Sequence, residues 1–191
     1  MSKKTVVLAE DSWMAGYVDG QGDTGVLADA LSVRAECRLA VSGSTAVDWA
    51  LDKDQMLTRL LECAKECQCV VLSLGGNGAL RAMKNDGKIT PEELCEVASA
   101  ISAVTEGLKE HFREVFLVLY ANPYPDDSAA AVGCALLNAL LIASAAHETI
   151  FIPSYSVLNR EAMSGAGIHP SQAGYVKLAS LIERIVGGLN E

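Results

Sequence analysis

The chain has 191 residues, half of them hydrophobic and 20% charged, which suits one well-buried globular domain spanning residues 1–191. Its formal net charge is −9 and no run of lysine and arginine compensates it, so the composition argues against a nucleic-acid partner. No segment is apolar over the length that a transmembrane helix needs, so we expect no membrane span.

Residues 5–9 form the first predicted strand, because they are apolar and rich in β-branched side chains. Lys3 and Lys4 precede this run and resemble the start of a signal peptide. However, the run is only five residues long and ends in Glu10 and Asp11, with no cleavage-type segment after it. We therefore predict that the chain is cytoplasmic.

Strands and helices alternate along the rest of the chain. Residues 70–74 are apolar apart from Ser73, as expected of a strand buried on both faces. Thr90, Pro91 and Glu93 form a strong helix start, because threonine and glutamate make a capping box and proline suits the first turn. The other predicted strands are residues 38–41, 115–120 and 149–153. The predicted helices are residues 24–34, 54–66, 90–112, 127–146 and 171–189.

This alternation predicts an α/β fold. Five strands separated by helices favour a three-layer α/β/α sandwich with a five-stranded, mostly parallel sheet and right-handed crossovers. In folds of this kind the loops at the carboxyl ends of the strands form the ligand crevice. Residues placed directly after the predicted strands are therefore the first candidates for a site.

The cysteines do not form a recognisable metal site. Their spacing lacks the paired short intervals of a zinc site, and no histidine lies near them in sequence. A chain of this size also folds without disulfides. We therefore expect buried free thiols that pack as small apolar side chains. The six positions are Cys37, Cys63, Cys67, Cys69, Cys95 and Cys134.

Four short segments supply the residue types of an acyl-transfer site. Three of them follow predicted strands and the fourth precedes the last helix, so they can converge on one edge of the sheet. A serine and a histidine can act as nucleophile and base, while backbone and amide N–H groups can hold an oxyanion. The segments are residues 10–12, 42–44, 75–78 and 167–170, and the candidates in them are Ser12, Gly43, Asn77 and His169.

These four blocks resemble the SGNH/GDSL hydrolase family, which is named for its serine, glycine, asparagine and histidine. The resemblance spans Ser12 to His169, with the blocks in family order. Three positions depart from the family pattern. Glu10 replaces the glycine of the first block, Gly78 stands where an aspartate is usual, and Ala166 stands where an acid precedes the histidine by three residues.

The resemblance implies a flavodoxin-like SGNH hydrolase fold and a serine esterase that hydrolyses a small acyl ester through an acyl-enzyme, with no metal or organic cofactor. Ser12 would be the nucleophile and His169 the general base. The backbone N–H groups of Ser12 and Gly43 and the side-chain amide of Asn77 would form the oxyanion hole. The substrate would be a small molecule or a carbohydrate or lipid ester, and the sequence leaves its identity and the oligomeric state open.

Ala166 cannot orient His169 as an acid does, and three interpretations remain open. In the first, a backbone carbonyl or a water holds the histidine. In the second, another acid such as Asp11 or Glu161 reaches it. In the third, the site is impaired and the protein binds an ester-bearing ligand or a protein partner. A phosphate- or dinucleotide-binding module is remote, because the glycine-rich loop at residues 75–78 lacks the spacing of either motif.

Two aromatic residues are candidates for the pocket rim. Trp13 directly follows the candidate nucleophile and could line an acyl or sugar pocket, but a place in the core agrees equally well with the sequence. Tyr124 lies in a turn after the fourth strand, where rim packing and plain turn chemistry are both open.

Overall fold

The computed structural model describes residues 5–78, 90–122, 128–164 and 168–188. The strands are β1 (Val6–Glu10), β2 (Tyr17–Val18), β3 (Gly22–Asp23), β4 (Arg38–Ala40), β5 (Cys69–Ser73), β6 (Glu114–Leu119) and β7 (Ile150–Pro153). Five of them form one sheet in the order β4-β1-β5-β6-β7, and every neighbouring pair in it is parallel. The remaining two strands, β2 and β3, pair with each other in an antiparallel ribbon.

Helices cover this sheet. They are α1 (Ser12–Ala15), α2 (Val26–Ala30), α3 (Ala46–Ala50), α4 (Met56–Cys63), α5 (Pro91–Lys109), α6 (Ser128–Ser144) and α7 (Gln172–Gly188), with short 3₁₀ turns at Ala35–Cys37, Lys53–Gln55, Ser154–Ser156 and Arg160–Ala162. Helix α2 packs against α7, whereas α3 packs against α5 and α5 against α6. The sheet thus lies between two helical layers, and the predicted three-layer α/β/α fold is confirmed.

Local sequence signals explain the elements at the centre of the fold. Strand β5 is buried along its whole length, as its uninterrupted apolar run predicts. Helix α5 begins at its predicted capping box, where Thr90 Oγ1 accepts a hydrogen bond from the Glu93 N–H at 3.2 Å. The Glu93 carboxylate in turn accepts one from the Thr90 N–H at 2.8 Å.

Two helices are shorter than their apolar periodicity predicts. The predicted helix at residues 24–34 contains α2, which has only five residues, and Ser32 just beyond it has a φ of +55°. The predicted helix at residues 54–66 contains α4, which begins at Met56 because Asp54 and Gln55 adopt φ values of +52° and +59°. Apolar spacing indicates which face of a segment is buried, but it does not show where the backbone leaves the helical conformation.

All six cysteines are free thiols, as expected. The prediction that they are buried is right for Cys37, Cys67 and Cys69. It is wrong for Cys95, which lies on the outward face of α5 and is exposed, and the remaining two are half-buried. An amphipathic helix presents one face to solvent whatever small side chains it carries there.

Gly174 allows helix α7 to approach the turn at Arg160–Ala162. A Cβ atom added at Gly174 would overlap the Ala162 carbonyl oxygen and would lie 3.1 Å from Pro170 Cβ. The same carbonyl accepts hydrogen bonds from the backbone N–H and the hydroxyl of Ser171, at 2.8 and 3.1 Å, so it cannot move freely. The close approach therefore requires a glycine.

We expect Gly174→Ala to lower the free energy of unfolding by about 3 kcal/mol, because overpacking against the backbone forces α7 away from the turn. Chemical denaturation followed by circular dichroism measures this change. Gly107→Ala in α5 is the matched control, because a Cβ there meets no atom within 4 Å. It should leave stability unchanged or raise it by up to about 1 kcal/mol. Equal effects of the two substitutions would contradict the close approach.

Candidate active site

The candidate nucleophile lies at the carboxyl end of strand β1, between β4 and β5 in the sheet. Ser12 is the first residue of α1, and Asp11 caps that helix by accepting a hydrogen bond from the Trp13 N–H at 2.8 Å. The helix ends one turn later at Gly16, whose φ of +70° places it in the left-handed region. This strand–turn–helix unit holds Ser12 at the edge of the sheet where a ligand crevice is expected.

Ser12 and His169 are brought together across 157 positions of sequence: Ser12 Oγ lies 2.9 Å from His169 Nε2. The backbone around the histidine is fixed by neighbouring segments. The His169 carbonyl accepts a hydrogen bond from the Ser164 N–H at 2.8 Å, and the Ile168 carbonyl accepts one from the Trp13 indole N–H at 3.2 Å. Trp13 thus ties the segment that carries the histidine to the segment that carries the serine.

Asp19 supplies the carboxylate that the sequence motif lacks. It lies between β2 and β3, and its Oδ1 is 3.0 Å from His169 Nδ1. Its other oxygen, Oδ2, accepts a hydrogen bond from the Ser164 hydroxyl. Burial by itself raises the pKa of Asp19, but the hydrogen bonds from Ser164 and His169 and the charge of the histidine outweigh it, so the pKa of Asp19 is lowered. Asp19 is therefore ionised at neutral pH.

The other acids considered from the sequence do not hold the histidine. Asp11 directly precedes Ser12, and its oxygens accept hydrogen bonds from the Ser73 hydroxyl, the Trp13 N–H and, at 2.5 Å, the Tyr120 hydroxyl. Glu161 is exposed. Ala166 and Tyr124 lie outside the described residues.

Sequence reasoning missed Asp19. The only local signal was an Asp19-Gly20 pair, which is typical of a tight turn between two strands. Nothing in that signal indicates that the turn reaches a histidine 150 positions away. The family resemblance also directed attention to position 166, three residues before the histidine.

The candidate oxyanion donors lie in the segments after β4 and β5, the two strands that flank β1. Gly43 has a φ of +83°, and a Cβ there would meet no atom within 4 Å, so backbone conformation rather than space favours glycine. Asn77 Nδ2 donates a hydrogen bond to the Ser44 carbonyl at 2.8 Å, and the Ser44 hydroxyl donates one to the Glu10 carbonyl at 3.0 Å. Ser44 therefore links the second and third sequence blocks to the end of β1.

A buried polar network lies beneath Ser12. Asp11 is 2% exposed, and burial raises its pKa even though hydrogen bonds from Ser73, Tyr120 and the Trp13 N–H oppose the shift. The Tyr120 hydroxyl also accepts a hydrogen bond from the Gly76 N–H at 3.3 Å. A Cβ at Gly76 would lie 2.8 Å from that hydroxyl, so glycine is needed for the contact. The network joins the ends of β1, β5 and β6 and the segment that carries the candidate asparagine.

Glu10 occupies the family's glycine position in a glycine-like conformation. Its φ is +87°, a region that costs a side-chain-bearing residue roughly 1 kcal/mol or more. Its side chain is buried, and neither carboxyl oxygen has a hydrogen-bond partner among the described residues. Burial, and after it the nearby carboxylates of Asp11 and Asp48, raises the pKa of Glu10 well above 4.5.

The raised pKa of Glu10 makes stability depend on pH. The folded protein holds the Glu10 proton more tightly than the unfolded chain does, so the free energy of unfolding falls as the pH rises from about 4.5 toward the folded pKa. We expect Glu10→Gln to flatten this fall and to stabilise the protein more at pH 7 than at pH 5. Thermal melts across this range, with the exposed Glu161→Gln as control, measure the effect. Parallel pH profiles for Glu10→Gln and the parent protein would contradict it.

Two aromatic side chains near the candidate site differ in how deeply they are buried. Trp13 is 3% exposed and packs edge-on against Tyr120, with ring centroids 5.1 Å apart, which favours the core interpretation of this residue over a pocket rim. Tyr17 is half-buried, and its ring centroid lies 4.6 Å from that of His169. Sequence reasoning did not single out Tyr17, which follows the αL residue Gly16.

Neither a metal cluster nor a membrane-spanning helix is found in the described ranges. No group of three or more histidine, cysteine, aspartate or glutamate side chains there is arranged to hold a metal ion. The helices in those ranges are also too short or too polar to cross a bilayer.

Comparison with known proteins shows similarity in structure only. No protein-family model matches the chain, and no curated protein matches it in sequence. The acetylxylan esterase Axe2 from Geobacillus stearothermophilus is 18% identical, with a TM-score of 0.70 over 97% of this chain and 95% of that chain. The lipase Lip_vut3 from a goat rumen metagenome is 20% identical, with a TM-score of 0.68 over 96% of this chain and 97% of that chain. These similarities confirm the fold.

Proposed function

We propose that this protein is a serine ester hydrolase of the SGNH type. The proposal is carried by an unbroken chain of two hydrogen bonds, 2.9 Å from Ser12 Oγ to His169 Nε2 and 3.0 Å from His169 Nδ1 to Asp19 Oδ1. Such a chain gives a serine an adjacent base, and it gives that base a carboxylate that fixes its tautomer. The structural likeness to an acetylxylan esterase and a lipase supports ester hydrolysis as the activity.

The reaction begins with proton transfer from Ser12 to His169. Because the Asp19 carboxylate can only accept, His169 Nδ1 carries a proton and Nε2 is free to take one from Ser12 Oγ. Ser12 Oγ then attacks the ester carbonyl carbon, and Asp19 stabilises the imidazolium that forms. His169 returns the proton to the leaving alcohol oxygen, and a water activated by the same histidine hydrolyses the acyl-enzyme.

Negative charge on the carbonyl oxygen needs donors at the same edge of the sheet. We assign this role to the backbone N–H groups of Ser12 and Gly43 and to the side chain of Asn77. One N–H of the Asn77 amide is used to bond the Ser44 carbonyl, which orients the amide, and the second N–H is the one proposed to face the oxyanion. Loss of one such donor typically lowers the rate about a hundred- to a thousandfold.

The proposed substrate is a small acyl ester, with an acetyl ester on a carbohydrate as the favoured class. One structural neighbour, solved in its parent form and as several mutants, is the acetylxylan or acetyl-xylooligosaccharide esterase Axe2. Solved catalytic mutants of Axe2 replace a serine, an aspartate or a histidine, and its aspartate precedes its histidine by three positions. In this chain Ala166 stands at the matching place, and we propose that Asp19 takes over the function of that aspartate.

The alternative of an impaired protein that only binds an ester-bearing ligand or a partner was based on Ala166. The hydrogen bond from His169 to Asp19 argues against it, because the histidine has an ionised acceptor. It argues equally against the dyad interpretation, in which a carbonyl or a water would hold the imidazole.

Covalent labelling of the native protein tests the proposal directly. A fluorophosphonate should phosphonylate Ser12 with loss of fluoride, and peptide mass mapping should place the adduct on that residue. The same protein unfolded in urea should not react, since the serine then lacks its base. p-Nitrophenyl acetate should be hydrolysed faster than the butyrate. Absence of an adduct on folded protein, or an adduct on another serine, would overturn the assignment.

A further inference from the structure

Three cysteines lie close together at the opposite end of the sheet from the candidate site. Cys37 ends the 3₁₀ turn that leads into β4, and Cys67 lies two residues before β5. Their sulfur atoms are 3.3 Å apart. Cys63 is the last residue of α4, and its carbonyl accepts a hydrogen bond from the Cys67 N–H at 2.9 Å, so it lies one turn away from Cys67.

The three thiols differ in access to solvent. Cys37 and Cys67 are 1% and 3% exposed, whereas Cys63 is half-buried and donates a hydrogen bond to the Glu36 carbonyl at 3.4 Å. A reagent in solution therefore reaches Cys63 before it reaches the two sulfurs in contact. The Cys63 thiol also lies within hydrogen-bonding reach of the Cys37 thiol, so the accessible thiol contacts the buried pair.

A positive charge lies over the pair. Arg34 Nη2 is 3.7 Å from Cys37 Sγ and 3.9 Å from Cys67 Sγ, and it also bonds the Glu66 carboxylate at 2.9 Å. Burial, and then the contact with Cys37, raises the pKa of the Cys67 thiol to about 12, while Arg34 acts in the opposite direction. The Cys67 thiol is thus protonated at rest, and the guanidinium of Arg34 favours its thiolate once the proton is lost.

We propose that Cys37 and Cys67 form a reversible disulfide when the protein meets a low-molecular-mass disulfide, and that Cys63 is the entry thiol for this reaction. The sulfurs need to approach by little more than 1 Å to reach the roughly 2.05 Å of a disulfide. The two cysteines are 30 positions apart, so the bond closes a substantial loop of the unfolded chain.

The exchange proceeds in three balanced steps. The Cys63 thiolate attacks a sulfur of glutathione disulfide, which forms a mixed disulfide and releases one glutathione thiolate. The Cys37 thiolate attacks the Cys63 sulfur and releases the second glutathione. The Cys67 thiolate then attacks the Cys37 sulfur and returns Cys63 as a thiolate. Overall, Cys37 and Cys67 each lose a proton and an electron, and glutathione disulfide is reduced to two glutathione molecules.

The bond would connect the beginnings of two strands whose far ends carry the candidate oxyanion loops. In the sheet, β4 and β5 flank β1 on either side, so the link spans the start of the strand that leads to Ser12. Because the bond lies at the amino ends of these strands, we expect it to stabilise the fold and leave ester hydrolysis unchanged within about twofold. Its effect is therefore separable from the proposed hydrolase activity.

The test is incubation of the native protein with excess glutathione disulfide, followed by intact mass measurement and non-reduced tryptic mapping. We expect a loss of two hydrogen atoms and a peptide containing residue 37 linked to the one containing residue 67. The tryptic peptide that contains Cys67 also contains Cys69. The Cys69→Ser variant should still form the link, which would identify Cys67 as the partner of Cys37. The thermal midpoint should rise by about 5–10 °C and return on reduction.

Single substitutions distinguish the role of the Cys37–Cys67 pair from that of the entry thiol Cys63. Cys67→Ser should abolish the bond, Cys95→Ser should not affect it, and Cys63→Ser should slow its formation about tenfold or more without preventing it. Glutathionylation of exposed Cys95 shows that the reagent is active. Failure of folded protein to form the 37–67 link under those conditions would overturn the proposal. An unchanged rate in Cys63→Ser would overturn the entry role.

Discussion

Ser12→Ala is expected to reduce hydrolysis of p-nitrophenyl acetate by at least about 10⁴-fold, close to the uncatalysed rate. The serine oxygen is the atom that forms the acyl-enzyme, and no other hydroxyl occupies its position 2.9 Å from His169 Nε2 among the described residues. In a well-studied serine hydrolase, removal of the nucleophile costs about 10⁶-fold in turnover. Steady-state kinetics and fluorophosphonate labelling of the variant measure the loss.

The control for this substitution is Ser180→Ala. Ser180 is an exposed serine on α7, and its hydroxyl donates a hydrogen bond to the Val176 carbonyl one helical turn earlier. It should retain full activity and labelling. Thermal melts of both variants should agree with the parent within a few degrees, so that lost activity cannot be attributed to unfolding. Substantial residual turnover by well-folded Ser12→Ala would remove the nucleophile from the mechanism.

Asp19→Asn is expected to lower kcat by about 10³–10⁴-fold with a much smaller change in KM. Asparagine keeps the size of the side chain but removes the charge that stabilises the imidazolium, and its amide can bond the wrong tautomer of His169. The substitution alters two hydrogen bonds of the Asp19 carboxylate, the one to His169 Nδ1 at 3.0 Å and the one that it accepts from the Ser164 hydroxyl. Measurement of kcat and KM for the acetate ester separates this effect from a defect in substrate binding.

Asp29→Asn is a suitable control for Asp19, because Asp29 forms an exposed ion pair with Arg38 at 2.7 Å on the outer side of α2. It should change kcat by less than twofold. Ala166→Asp in the otherwise unchanged protein should not raise activity appreciably, since His169 Nδ1 already has a carboxylate partner. A large gain from Ala166→Asp, together with a small effect of Asp19→Asn, would show that Asp19 does not serve the histidine.

Much of the fold could be predicted because its strongest signals are local. The apolar run at residues 70–74 and the capping box at Thr90 act over a few neighbouring residues. The strand is found one residue earlier, at Cys69–Ser73, and the helix begins at the predicted capping box. Helix boundaries were predicted less well, because positive φ values at Asp54 and Gln55 leave no mark in the apolar pattern. The single-domain organisation and the cytoplasmic location remain predictions.

The residues of the candidate site also fall into those that the sequence predicts and one, Asp19, that it does not. Ser12, Gly43 and Asn77 lie in motifs that follow strands, and His169 lies in a motif that precedes the last helix, so the fold itself determines where these candidates are placed. Asp19 carries no such mark, because it reaches the histidine through a ribbon of two-residue strands whose place depends on tertiary packing. A motif search finds the residues that a family keeps at fixed spacing, whereas a replacement from another segment becomes visible only in three dimensions.

The arrangement of the hydrogen-bonded chain also has a consequence for synthesis and refolding. Ser12 and Asp19 are separated by only seven positions near the start of the chain, while His169 follows them by 157 and 150 positions. During synthesis the serine and the carboxylate therefore emerge well before the base, and the hydrogen-bonded chain is incomplete until the segment that carries His169 has emerged and docked. Recovery of turnover after dilution from denaturant would consequently report the final docking step, later than signals from the sheet.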